Sequence, residues 1–167
     1  KNDFMEEPSK KFFRLSIGKE VRLMNAYYIK CTHVIKNEKN ETTEIHCTYD
    51  PKTKGGWSKD GRKVKGTIHW VCANKSTKAN INIYNKLFNA INPYNCKNNE
   101  TFINNLNTES LTTIKDARLE LSLLNASKNQ NYQFLRKGYF ILDSKSSEES
   151  LIFNQTVSLR DSWNKKK

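Results

Sequence analysis

The stretch NAYYIKCTHVIKNEKNETTEIHCTY, residues 25–49, decides the fold class. Its two ends are rich in β-branched and aromatic residues, whereas Asn37 to Glu41 between them are all polar or charged. Such residues suit a pleated, half-buried surface, and a short polar break between two of these runs predicts an antiparallel hairpin. Upstream, the sheet-like pattern reaches back to Phe12 through Val21 and Leu23. Downstream, DPKTKGGWSKDG (50–61) has the Pro and Gly content of a loop. It feeds DGRKVKGTIHW (60–70), where Asp60-Gly61 is a tight-turn dipeptide. Beyond that turn Val64, Gly66, Ile68 and Trp70 alternate with Lys63, Lys65, Thr67 and His69, predicting a strand with one buried and one basic face. Residues 12–73 then form a small meander able to curl into a barrel.

The composition changes at NKSTKA (74–79), which predicts a crossing into a second unit. Ile81, Ile83 and Leu87 alternate with polar residues as one strand. INPYNCKNNETFINNLNTESL, broken by Pro93, holds at most one short helix near Thr101 to Leu106. YQFLRKGYFIL (132–142) and SLIFNQTVSLR (150–160) read as two further strands around the polar turn DSKSSEE. The second unit is expected to be β-rich but short of strands.

The chain carries 29 basic and 17 acidic residues, a net charge of +12. The excess is +7 over residues 1–75 and +5 over 76–167, so no single tail explains it. A field of that sign attracts polyanions, chiefly nucleic acid or an anionic membrane surface. No stretch approaches the roughly 18 apolar residues of a membrane-spanning helix, and the opening residues lack the apolar segment of a signal peptide. The five sequons, at Asn40, Asn74, Asn99, Asn125 and Asn154, are chance products of an Asn-rich chain. Cys31, Cys47, Cys72 and Cys96 are far apart, without a Cys-x-x-Cys pair, and zinc is not expected. Read as reduced, structural thiols, the first three within strands, they favour the cytosol.

Catalytic signals are weak. Cys31 and His33 would share a strand face, but no oxyanion hole, phosphate loop or paired carboxylates accompany them. No catalysis is expected of the chain alone. Binding of single-stranded nucleic acid needs cations for phosphates, aromatic faces for unstacked bases, and amide or guanidinium groups for base edges. KKFFRLSIGKEVRLMNAYY sets Lys10, Lys11, Arg14, Arg22 and Asn25 among Phe12, Phe13, Tyr27 and Tyr28. YQFLRKGYF sets Gln133, Arg136 and Lys137 among Tyr132, Phe134, Tyr139 and Phe140.

KKFFRLSIGKEVRLMNAYYIKC, CTYDPKTKGG, DGRKVKGTIHWV, INIYNKLF, YQFLRKGYF and FNQTVSLRDSW occur in this order across nearly the whole chain. Together they resemble the carboxy-terminal anticodon-binding region of the glutaminyl-tRNA synthetases. That resemblance implies an all-β fold of two small barrels: a linker at 1–10, an outer barrel at 11–75, part of an inner barrel at 76–164 and a basic tail at 165–167. It implies a glutamine tRNA anticodon loop as partner, the synthetase's catalytic domain as neighbour, and a cytoplasmic setting. ATP with Mg would serve the catalytic end, whose HIGH-type and KMSKS-type motifs are absent here; no cofactor is expected for the chain itself. By resemblance Arg14 reads the third anticodon base with Lys11 beside it, Arg22 and Asn25 hold the first base and its phosphate, and Gln133 and Arg136 form the middle-base pocket. The chain departs from the family at Met24, where an arginine is usual, at Leu135, usually acidic, and at Phe13, usually lysine. The inner barrel is expected to lack strands, and its exposed edges to invite self-association. A ribosomal-type RNA-binding barrel and a non-RNA interaction domain are the alternatives.

Overall fold

In the computed structural model, which describes residues 3–97 and 99–159, the chain divides between Trp70 and Val71 into two units. The first holds β1 (Glu20–Leu23), β2 (Tyr28–Lys36), β3 (Thr42–Asp50) and β4 (Thr67–Ile68), in the sheet order β3-β2-β1-β4. The predicted hairpin is β2 and β3, antiparallel, with Cys31 opposite Cys47 and Val34 opposite Ile45. Asn37 closes its turn by accepting the backbone N–H groups of Lys39 and Glu41, at 3.0 and 2.9 Å. This use of a side chain as a local turn former is what makes Asn common at such positions.

The first core gathers Leu15, Val21, Cys31 and Ile68, with Phe4, Leu23, Ile29 and Val34 packed against it. Residues before β1 are tied in as well: Met5 N–H donates to the Leu15 carbonyl and Gly18 N–H to that of Cys31. Gly66 is required by close approach, since a Cβ there would stand 2.3 Å from the Phe13 carbonyl oxygen.

The strand expected over 62–70 is only two residues long, pairing parallel to β1 through Arg22 with Thr67 and Leu23 with Ile68. Its predicted alternation survives as burial: Gly66 and Ile68 are buried, Lys63 and Lys65 exposed. Trp70 departs from it, half-exposed and donating its indole N–H to the Met24 carbonyl at 3.0 Å.

The second unit holds β5 (Ser76–Tyr84), β6 (Leu111–Glu120), β7 (Asn131–Phe134), β8 (Gly138–Leu142) and β9 (Leu151–Ser158), in the order β6-β5-β9-β8-β7. Its core is Ala79, Ile81, Phe140, Leu142, Leu151 and the fully buried Phe153. The chain is all-β as expected, and the second sheet is open, in keeping with an incomplete inner barrel. Three expectations need correction. Among the described residues the first sheet does not close into a barrel either, its order running linearly from β3 to β4. The second unit is not short of strands, because β6 pairs along β5 although almost all its side chains are exposed. YQFLRKGYFIL is a hairpin, not one strand: Lys137 N–H donates to the Phe134 carbonyl, and Arg136 has φ 63°. The short helix expected near Thr101 to Leu106 is present, as a 3-10 turn over Phe102–Asn105.

All four cysteines are free, but only Cys31 is buried, and burial pushes its thiol up; Cys47 and Cys72 are exposed. A bulge after Cys31 leaves its sulfur 3.8 Å from the His33 carbonyl, while the His33 ring stacks on that of His46 with centroids 4.4 Å apart. A buried thiol with a raised pKa stays protonated near neutral pH and is a poor nucleophile. Among the described residues no helix is long and apolar enough to cross a membrane.

Candidate nucleic-acid interface

Arg22, in the middle of the short strand β1, lies between two rings: its guanidinium carbon is 5.8 Å from the Tyr28 centroid and 5.3 Å from that of Trp57. Guanidinium groups are held well in such stacks because they are planar and weakly hydrated. Tyr28 is buried at the start of β2, whereas Trp57 is 74% exposed on the 50–61 loop. That loop approaches closely because residue 56 has no side chain; a Cβ there would meet Arg22 Cδ at 3.0 Å, and φ is 85°. Thr53 anchors it, its hydroxyl accepting from Tyr28 N–H at 2.8 Å and donating to the Asp50 carbonyl at 2.7 Å. The buried Nε of Arg22 has no hydrogen-bond partner among the described residues.

Arg62 also lies against Tyr28, 5.3 Å from the ring centroid, and ion-pairs with Asp50, Asp60 and, at 3.2 Å, Glu20. The Ser58 hydroxyl and the Arg62 N–H bring the Asp60 carboxyl down to about 2, and Arg62 with the Lys52 N–H lowers that of Asp50. One arginine thus absorbs the acidic charge around the loop. Among the described residues no ion pair engages Lys52, Lys54 or Lys59.

Lys10, Phe12, Phe13, Arg14, Lys19 and Glu20 meet Lys63, Lys65 and Gly66 around an open cavity of about 310 Å³. Five of these side chains are cationic and one is acidic. Lys65 Nζ stands 5.4 Å from the centre of the half-exposed Phe13 ring, and Arg14 is ion-paired to Asp3. Lys11 is exposed in the turn closed by Phe12 N–H on the Ser9 carbonyl. Asn25 has φ 56° in the β1–β2 turn, a left-handed position that Asn tolerates. Of the site residues expected here, Arg14 lines the cavity, Arg22 is in the ring stack and Asn25 shapes the turn.

In the second unit Gln133 and Arg136 share the β7–β8 hairpin. Gln133 is exposed and pairs across strands with Tyr139, which in turn pairs with Val157 on β9. Tyr132, Phe134 and Phe140 face the other way: Phe134 stacks on Phe140 at 4.3 Å, and Tyr132 meets Phe153 edge-on at 6.1 Å. Tyr139 is therefore the aromatic of this stretch presented beside Gln133. Gly138 makes the turn possible, since its φ is 142° and a Cβ there would stand 2.5 Å from the Val157 carbonyl oxygen.

Two family models described as the anticodon-binding domain of class I (E and Q) tRNA synthetases match residues 1–50 and 67–143. The chain belongs to this family. It is 49% identical over 164 residues to a glutamine-tRNA ligase of Bradyrhizobium diazoefficiens, a match covering 98% of this chain and 29% of that protein. It is 51% identical over 162 residues to one of Psychromonas ingrahamii (96% and 29%), and 48% identical over 166 residues to one of Clostridium perfringens (98% and 29%). The chain thus spans less than a third of the length of these relatives.

Within that family the motif positions Arg14, Arg22, Gln133 and Arg136 attract attention first, and Trp57 and Tyr139 do not. Trp57 had a legible signal, a single large aromatic inside an otherwise polar, Gly-rich loop. Its contact with Arg22 had none, since nothing local relates residue 57 to residue 22.

Proposed function

We propose that the chain is the anticodon-reading end of a cytoplasmic glutamine-tRNA ligase, binding the anticodon loop of a glutamine tRNA. The observation that supports this most is the family match over both units together with an exposed amide and guanidinium on the β7–β8 hairpin. In this reading Arg14, with Lys11 near it, serves the third anticodon base. Arg22 and Asn25 serve the first base and its phosphate, and Gln133 and Arg136 the middle base. A site built to hydrogen-bond a base edge rejects the wrong base by leaving buried polar groups unpaired. Ligation of glutamine, with ATP and Mg, belongs to the rest of such an enzyme.

The test is titration of the chain with two anticodon stem-loop RNAs, one carrying CUG and one with its middle base changed, followed by anisotropy. Tighter binding to CUG, with the difference abolished by Gln133→Ala or Arg136→Ala, is the expected result. Equal affinity for both RNAs would contradict the reading. Pairing of a second copy onto an open sheet edge is a separate proposal: sedimentation equilibrium should show a concentration-dependent dimer, and a strict monomer would refute it.

A further inference from the structure

We propose that Trp57 is a stacking platform for an unpaired nucleotide of the bound RNA, with Arg22 against the indole and Lys52, Lys54 and Lys59 on the same loop. The inference rests on the anticodon-binding reading and adds a contact to it. Trp57 is 74% exposed, yet its loop is anchored: Thr53 bonds to β2 and β3, and Gly55 and Gly56 take φ of 86° and 85°. A single exposed aromatic is ordinary on a protein surface, but one held over a guanidinium on an anchored loop is arranged in advance to receive a planar ligand. The chemistry beside it selects the ligand class. Arg22 supports the ring at 5.3 Å and keeps a buried Nε without a hydrogen-bond partner, while Arg62 neutralises Asp50 and Asp60 and leaves Lys52, Lys54 and Lys59 outside any ion pair among the described residues. An aromatic face edged by cations is the arrangement that takes an unstacked base and its phosphate.

The chain labelled with 5-fluorotryptophan gives three fluorine resonances, from Trp57, Trp70 and Trp163; Trp57→Phe assigns the first. Titration with the CUG stem-loop should move the Trp57 resonance in step with the anisotropy isotherm. Trp57→Ala should weaken binding about tenfold without changing its salt dependence, because stacking releases no counterions. Trp57→Leu, which keeps bulk over Arg22 but has no π face, should weaken it as much. If the RNA binds while the Trp57 resonance stays still, or if Trp57→Leu binds like the parent chain, the platform is refuted and the anticodon reading stands. If neither anisotropy nor any fluorine resonance responds, the anticodon reading fails and the platform with it.

Discussion

Arg62 does the most for its surroundings of any single side chain in the first unit, holding Asp50, Asp60 and Glu20 while lying against Tyr28. Both aspartates are held below their ordinary value of 3.8, Asp60 at about 2. A carboxyl with a depressed folded-state pKa contributes stability above its unfolded value and loses it as pH falls through the folded value. Thermal melts should therefore show Arg62→Ala below the parent chain at pH 6, with the gap narrowing as pH falls below about 4 and Asp50, which the Arg62 side chain chiefly holds down, takes up its proton; a gap independent of pH would refute the linkage. These groups are solvent-accessible, and the gap should shrink in high salt as well. At Gly138 the constraint is steric. Gly138→Ala would press a methyl against the Val157 carbonyl at a φ that L residues rarely adopt, and urea unfolding should find it destabilised by about 1–3 kcal/mol.

Legibility at the scale of elements followed burial. The β2–β3 hairpin was readable because both strands carry the β-branched and aromatic residues that sheets favour. Strand β6, LTTIKDARLE, was not: it is an edge strand with nearly every side chain exposed, so no apolar alternation marks it, and backbone pairing to β5 holds it in place. The β7–β8 turn was hidden by Arg136, a residue rarely found at positive φ, although Gly138 stood beside it. The basic segment before β4 was readable as cationic but not as irregular; it lies along the Phe12–Arg14 backbone, which Gly66 lets approach. If that segment neutralises phosphates, Lys63→Gln with Lys65→Gln should flatten the dependence of log K on log salt by about 0.7 for each phosphate released. An unchanged slope would place the phosphates elsewhere.

For the whole molecule, the net charge of +12 pointed to a polyanionic partner, and the motif order pointed to the family to which the chain belongs. Both signals were legible because they are linear in sequence. Closure of the sheets was not, since it depends on strand length and edge pairing that no motif encodes, and the cation–ring contacts among Trp57, Arg22, Tyr28 and Arg62 were invisible because their members come from separate elements.

The claim that this chain reads an anticodon is tested most directly by following the guanidinium Nε–H resonances of its six arginines during titration with the CUG stem-loop. The account predicts that Arg14 and Arg136 shift strongly and that Arg62, already bound to three carboxylates, stays nearly fixed. With the middle base changed, the Arg136 shift should vanish and the Arg14 shift persist. Equal, uniform shifts of all six for both RNAs would mean attraction by charge alone, and would contradict it.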